Sequence, residues 1–306
     1  MGVIGIDTSN YTTSVAFFDG TGGENCSKLL PVKPGELGLR QSDAVFAHIK
    51  SLPELSGRLF SRVREEIRAV GVSTRPRAVE GSYMPCFLVG LSHAKLLSDA
   101  LHVPLVEVSH QQGHVAASLW SAGHLELMDE PHLAWHLSGG TTELLLVEPE
   151  GKLVKCTKIG GTTDISAGQL IDRTGQLLGL PFPSGKHLDA LSREAVGKDF
   201  FRVKCTDMTF SFSGMQNKVQ QYFEANGDPA ETAAYALRCI AYGVFHATQQ
   251  ALKAYPGLPV VFSGGVASNS LLRQVLEPLN PIFAQPQYST DNAMGVAVLA
   301  SRCTEV

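Results

Sequence analysis

The chain has no Cys-x-x-Cys pair: Cys26, Cys86, Cys156, Cys205, Cys239 and Cys303 are scattered along its 306 residues. That spacing offers neither a disulfide framework nor a zinc ribbon, and reduced thiols are the simplest account. Nor is there an apolar run of the roughly twenty residues that a membrane span needs, a charged segment leading into an apolar one at the start, or a low-complexity tract. The expectation is a cytoplasmic protein with no membrane partner. Excess positive charge is also missing, since 25 Lys and Arg face 29 Asp and Glu for a formal net charge of −4. A nucleic-acid partner must then be held by a local basic patch or through another subunit. What is present, 44% hydrophobic and 18% charged residues, is the composition of a core-forming chain long enough for two domains.

Two stretches repeat one pattern. VIGIDTSNYTTSVAFFDG, from Val3 to Gly20, and LAWHLSGGTTELLLVEPEG, from Leu133 to Gly151, each run apolar strand, small polar turn ending in Thr-Thr, apolar strand, acidic turn with Gly. A turn of Gly, Ser, Thr and Asp leaves backbone N–H groups and hydroxyls uncovered, which suits phosphate; an ordinary hairpin would look the same. Asp7, Thr8 and Ser9 are the candidate phosphate turn of the first copy. The repetition predicts a duplicated α/β domain, residues 1–125 and 126–306, with a ligand cleft between the halves and a last helix able to pack back on the first.

Between the hairpins, apolar spacing predicts a helix from Asp43 capped by Ser42, a second from Leu55 to Ile67, and a strand from Arg68 to Ser73. A helix from Cys86 to Leu101, a short strand from Val103 to Val108 and a helix through His110 to Leu119 follow, an alternation that makes parallel βαβ units. Downstream, helices are predicted near Ser166 to Leu178, Gly185 to Val196, Gly214 to Ala225 and Ala230 to Ala254. The strand Pro259 to Phe262 and helices from about Ser268 and Asp291 close the chain.

In VSHQQGHVAA, His110 and His114 are four residues apart at a helix start, so both rings can share one face and one metal; a solvated pair gives the same spacing. A metalloprotease would need Glu directly after the first His, where Gln111 stands. Leu137, Ser138, Gly139, Gly140 and Thr141, and again Gly264 and Gly265, place glycine pairs at strand ends, where open α/β sheets bind ligands. Asp172 could accept from a ribose and Gly185 could let backbone approach a sugar, although Asp172 and Arg173 also suit a solvated helix face. Asp291 reads locally as a helix N-cap.

In this order the segments VIGIDTS, HQQGH, LSGGTTELLLV, GGTTDISAGQLIDRTGQLLGLPFPSGKHLDAL, FSFSGMQNKV, FSGGVASNSLLR and STDNAMGVA resemble the tRNA adenosine threonylcarbamoyltransferase family, over nearly the whole chain. The resemblance implies the actin-like ATPase fold of sugar kinases, heat-shock proteins and actin. It implies a divalent metal, iron or zinc, on His110, His114 and Asp291. It implies an adenine nucleotide, the threonylcarbamoyl adenylate or ATP, along Leu137 to Thr141, Asp172, Gly185, Gly264, Gly265 and Asn269. The acceptor would be tRNA, at N6 of the adenosine beside the anticodon, with other proteins of a threonylcarbamoylation complex as partners.

The chain departs from the family pattern at Tyr11 and Thr12, where an Asp-Glu pair is usual, and at Gln112, where Glu is. Thr141 replaces a His, Arg173 a Lys, and Arg75-Pro76-Arg77 a GPG turn. No catalytic residue is assigned. The alternatives are a non-catalytic or divergent nucleotide-binding paralogue, and a carbamoyltransferase with another acceptor. A sugar kinase would need a catalytic Asp that LAWHLSGGTTE does not offer. Two expectations follow: closure of two domains unites Asp291 with the histidines, and Thr12→Glu with Gln112→Glu restores proton-handling groups.

Overall fold

The computed structural model describes residues 1–31 and 39–304. The apolar runs of the first hairpin form antiparallel strands β1 (Gly2–Ser9) and β2 (Thr12–Phe18), every residue of which is buried. Strand β3 (Gly23–Leu29) pairs with β2. The two helices expected next are one, α1 (Gln41–Arg62), which runs through Pro53. Proline has no N–H for the carbonyl four residues earlier, here that of Ile49, whose residue is half exposed and open to water. Ile67 lies outside that helix and opens β4 (Ile67–Arg75). Then come α2 (Phe87–Leu101), β5 (Leu105–Ser109) and α3 (His110–Ala122).

The second hairpin is β6 (His132–Leu137) and β7 (Thr142–Glu150), followed by β8 (Leu153–Thr162). Helices α4 (Ala167–Leu177) and α5 (Gly185–Ser192), short strands β9 (Cys205–Thr206) and β10 (Thr209–Phe210), and helices α6 (Ser213–Asn226) and α7 (Pro229–Ala254) come next. Strand β11 (Val260–Ser263), helix α8 (Ser270–Leu276), strand β12 (Ile282–Phe283) and helix α9 (Met294–Thr304) complete the chain.

The sheets are ordered β3-β2-β1-β4-β5 and β12-β11-β6-β7-β8-β10-β9. Read from β8, the second contains β8-β7-β6-β11-β12, the order of the first, with β10-β9 added outside. The leading hairpin is antiparallel in both, and β1 to β4 matches β6 to β11 as a parallel neighbour. The duplication seen in the hairpins therefore extends to whole sheets.

The chain divides into two compact units, one of Met1–Glu130, Glu148–Cys156 and Asp291–Val306, the other of Pro131–Val147 and Thr157–Thr290. The division is thus not one cut near residue 125. The first unit's core joins Ile4, Ile6, Val70 and Val72 of the sheet to Leu52, Leu55 and Leu59 of α1. The second packs Trp135, Phe262 and Phe212 against α7. Helix α7 starts on a side-chain cap: Asp228 accepts from Ala230 and Glu231 N–H at 2.8 and 3.2 Å, with Pro229 in the first turn.

Within the first unit, the α9 segment lies directly on the sheet and on α3. A Cβ at Gly5 would stand 2.4 Å from the Ala293 carbonyl oxygen, and one at Gly295 would stand 1.8 Å from that of Gly113. Only bare backbone permits this approach.

Candidate functional site

The centre of the first unit starts from a helix cap. Ser109 ends β5 and caps α3: its hydroxyl accepts from Gln112 N–H at 3.2 Å, while Gln112 Oε1 accepts from Ser109 N–H at 2.8 Å. This capping box starts the helix at His110 and places His114 one turn later on the same face. Their rings meet edge to face with centroids 4.4 Å apart. Asp291 enters from three residues ahead of α9. There Asn292, not Asp291, does the work of a cap: its Oδ1 accepts from Met294 N–H at 3.0 Å. The Asp291 carboxylate faces the histidines instead.

His110 Nε2 lies 2.9 Å from His114 Nε2 and 3.6 Å from Asp291 Oδ1, and His114 Nε2 lies 3.2 Å from Asp291 Oδ1. Ligands each about 2.0–2.2 Å from one ion stand roughly 3–3.5 Å apart, so this triangle has the size of a single coordination sphere. Two imidazole nitrogens at 2.9 Å also need a shared proton or cation between them, and two nitrogens with one oxygen suit iron or zinc. The donors fit a metal. All three belong to the first unit, so the α9 segment brings Asp291 to the histidines, not closure of one domain on another as expected from sequence.

Behind His110 stands Asp7, wholly buried. Its Oδ1 accepts from His110 Nδ1–H at 3.0 Å and from the Ser73 hydroxyl, while Oδ2 is buried without a partner. Held through Nδ1–H in this way, the ring turns Nε2 toward His114 and Asp291. In the absence of a metal it is the imidazolium there, and loss of the Nε2 proton would leave a lone pair for an ion, the arrangement that orients metal-bound histidines. Burial pulls the His110 imidazolium down, yet the charges of Asp7 and Asp291 and their hydrogen bonds outweigh it and raise its pKa to about 10. Burial pushes Asp291 up, but His110 and His114 hold it well below the usual carboxylate range. Burial, with Asp7's charge, raises Cys86 to about 11, which keeps it a thiol.

Asp7, Thr8 and Ser9 are therefore not the open turn expected from sequence. All three are buried at the end of β1, and the Thr8 hydroxyl donates to Cys86 O at 3.0 Å and accepts from Gly90 N–H at 3.1 Å. Sequence reasoning missed Asp7's place behind His110, although an Asp inside an unbroken apolar strand should have a distant partner, because a buried carboxylate needs one. It also missed buried His48, whose Nδ1 sits 2.8 Å from the Thr13 hydroxyl and whose pKa is lowered by burial.

Gln112 does not replace a group facing the metal donors. Its oxygen serves the cap and its Nε2 donates to Val154 O at 2.7 Å. Of the other departures, Thr12 is buried on β2, whereas Tyr11 in the turn is exposed.

In the second unit Leu137 to Thr141, Gly264 and Gly265 lie at strand ends, whereas Asp172 is on α4 and Gly185 and Asn269 are at the starts of α5 and α8. Ser138 N–H donates to Thr141 O at 2.8 Å and Ser138 Oγ accepts from Thr141 N–H at 3.1 Å, which leaves Gly139 and Gly140 exposed at the tip after Leu137. Gly264 has φ +91°, and a Cβ there would lie 2.1 Å from Leu137 O, so the glycine turns that end β6 and β11 lie side by side. Helix α4 starts against the same turn, where a Cβ at Gly168 would meet Gly139 Cα at 2.4 Å. Asp172 accepts from Ser184 N–H at 2.9 Å, which ties it to the start of α5 beside Gly185; burial raises its pKa. Asn269 caps α8 by accepting from Leu272 N–H and donates to Asp189 at 2.8 Å.

A model of the tRNA N6-adenosine threonylcarbamoyltransferase family matches residues 38–298. The chain belongs to that family. A relative of that name from Carboxydothermus hydrogenoformans is 34% identical over 247 residues, 76% of this chain and 70% of the relative. One from Thermosipho africanus is 30% identical over 315 residues, 97% of this chain and 92% of the relative. Among solved structures, full-length HypF in its phosphate- and nucleotide-bound form has a TM-score of 0.61 at 15% identity, covering 100% of this chain and 47% of that one. A ROK family glucokinase from Streptomyces griseus, in complex with glucose and AMPPNP, has a TM-score of 0.55 at 11% identity, covering 99% of this chain and 100% of that one. These likenesses show the actin-like ATPase fold.

Proposed function

We propose that the chain transfers a threonylcarbamoyl group from its adenylate to N6 of the adenosine next to the anticodon in tRNA. The observation that carries this reading is the triangle of His110, His114 and Asp291 donor atoms, backed by buried Asp7, in a member of this family. In the transfer N6 bonds to the carbamoyl carbon, the bond from that carbon to the phosphate oxygen breaks, and AMP leaves with the electron pair. N6 releases one proton, which the departing phosphate can carry. His110, His114 and Asp291 would hold a divalent iron or zinc ion, which would supply Lewis acidity to the developing negative charge.

The chain's own residues bind and orient. Open backbone at Gly139 and Gly140 is suited to the adenylate phosphate, and Asp172 to a ribose hydroxyl. Among the described residues no helix is long and apolar enough to cross a membrane. The reading includes action in the cytoplasm with other proteins of a threonylcarbamoylation complex. Neutral Tyr11, Thr12 and Thr141 favour the second reading, a nucleotide-binding paralogue without transfer.

Single-turnover transfer from threonylcarbamoyl adenylate to unmodified tRNA, with the complex proteins supplied, separates the two. Modified nucleoside is expected with the wild-type chain, and neither product nor bound metal with the His110→Ala, His114→Ala variant. Adenylate binding without product excludes tRNA transfer and leaves the paralogue or a carbamoyltransferase with another acceptor, and metal content unchanged in the variant removes the triad as ligands.

A further inference from the structure

A chain of net charge −4 that acts on tRNA needs a local surface for it, and the second unit carries one in an irregular stretch that no sequence motif marked. Residues 195–204 form neither helix nor strand. Their backbone is nevertheless fixed to α7. Val196 and Gly197 N–H both donate to Glu231 Oε1 at 2.8 Å, Phe201 N–H donates to Cys239 Sγ at 3.1 Å, and Val203 is buried in the core. A loop held this firmly could have turned its aromatic side chains inward, but Phe200 and Phe201 stay 38% and 43% exposed.

The exposed rings are arranged for stacking. Phe200 lies on Tyr242 of α7 with centroids 4.1 Å apart and planes within 13°, and His246 continues the row 6.2 Å beyond Tyr242. Cations flank the rings along the loop, where Lys198, Arg202 and Lys204 are exposed; Lys218 of α6 sits 5.5 Å over the Phe201 ring, and Arg238 of α7 donates to Asp199 O at 3.4 Å. Of the nearby acids, Glu231 is turned onto the loop backbone, Asp199 is exposed within the loop, and Glu194 and Asp207 are exposed beyond its two ends. Aromatic faces ringed by Lys and Arg are what unstacked bases and their phosphates require, since rings stack on bases and cations neutralise the backbone.

We infer that Phe200, Phe201 and Tyr242, with Lys198, Arg202, Lys204 and Lys218, form a docking surface for unpaired nucleotides of the tRNA acceptor. The surface continues into the nucleotide-binding part of the same unit. Helix α6, which carries Lys218, starts where Asp164 accepts from Phe212 and Ser213 N–H at 2.8 and 3.2 Å, two residues before the Ser166 cap of α4. From Ser213 to Lys218 the helix rises by about 8 Å.

The inference rests on tRNA being the acceptor, so binding is measured apart from transfer, on the full chain, with an anticodon stem-loop RNA and a fully paired hairpin of equal length. Arg202→Glu with Lys204→Glu changes only exposed side chains. It should weaken stem-loop binding by roughly ten- to a hundredfold and lower the slope of log affinity against log salt by about 1–2. Phe200→Leu keeps the apolar contact with Tyr242 and removes the stacking ring. It should weaken the stem-loop by about five- to fiftyfold and leave the paired hairpin unchanged. Unchanged affinity and slope in the charge variant, or equal wild-type affinity for both RNAs, overturns the surface even if transfer proceeds. Wild-type chain that binds neither RNA, with the complex proteins present, overturns tRNA as acceptor and this surface with it.

Discussion

The two hairpins look alike in sequence and end in opposite states. In β1–β2 the residues before the turn are sealed: Asp7 and Thr8 are inaccessible to water, and their side chains bond to Ser73, His110, Cys86 and Gly90. In β6–β7 the turn is closed by its own Ser138 and Thr141, and Gly139 and Gly140 face outward. The first copy is covered by the α9 segment at Gly5 and by α2 at Thr8, whereas the start of α4 lies against Gly139 of the second turn and still leaves Gly139 and Gly140 exposed. One copy thus became the support of a metal-sized cluster, and the other kept the open backbone that suits a phosphate.

Substituting one glycine in each copy tests that contrast most directly. Gly5→Ala drives a Cβ to 2.4 Å from the Ala293 carbonyl, against α9 backbone that cannot swing aside. A loss of about 1–3 kcal/mol or more is expected from such overpacking, with weaker metal binding as Asp291 shifts. Gly140→Ala meets nothing within 4 Å and should stay within about 0.5 kcal/mol of wild type. Thermal unfolding that finds equal costs removes the distinction between a sealed and an open copy.

Asp7→Asn probes what the sealed copy is for. The amide oxygen can still accept from His110 Nδ1–H, but the charge is gone, and metal affinity measured by chelator competition should fall by about 10–100-fold. Unaltered affinity would leave Asp7 as packing only.

Gln112→Glu comes next. Replacing Nε2 with oxygen sets a carboxylate against the Val154 carbonyl, so stability should fall by about 1–3 kcal/mol. No transfer activity should be gained. A gain on this substitution would restore the idea that position 112 handles a proton.

The smallest effect concerns Asp164, which lies in the unit of the open copy. Burial pushes its carboxyl up, but hydrogen bonds from Ser211, Phe212 and Ser213 prevail and hold it well below the ordinary value. Because the folded pKa is depressed, its contribution is complete above the unfolded pKa of about 3.9 and is lost as pH falls through the folded one. Stability of the wild type relative to Asp164→Asn should be constant at neutral pH and shrink below about pH 4. The group is exposed enough for solvent to screen it, so the change will be modest. A difference that does not vary with pH would mean the carboxylate is not held this way.

Much of the fold was legible locally. Apolar alternation and the caps Ser166 and Asp228 depend on near neighbours, which is why α4 and α7 lie within a residue or so of their predicted starts. The two helices expected from Asp43 and over Leu55 to Ile67 are one because a helix loses one hydrogen bond at Pro53 and keeps its buried face of Leu52, Leu55 and Leu59. His110 and His114 were readable as a pair because helical spacing alone puts them on one face.

Asp291 by residue-level reading was a cap, and only the family pattern placed it with the histidines. Its true setting depends on glycines at positions 5, 113 and 295, whose meaning appears when strand, α3 and α9 meet. Asp7 depended likewise on β4 and α3, which bring Ser73 and His110 to it from 66 and 103 residues away. The sequence by itself determined the elements, the duplication and the family, since these rest on short-range periodicity and motif order. Tertiary structure decided which carboxylates face the histidines and which turn stays open, because burial and long-range hydrogen bonding are properties of the packed chain.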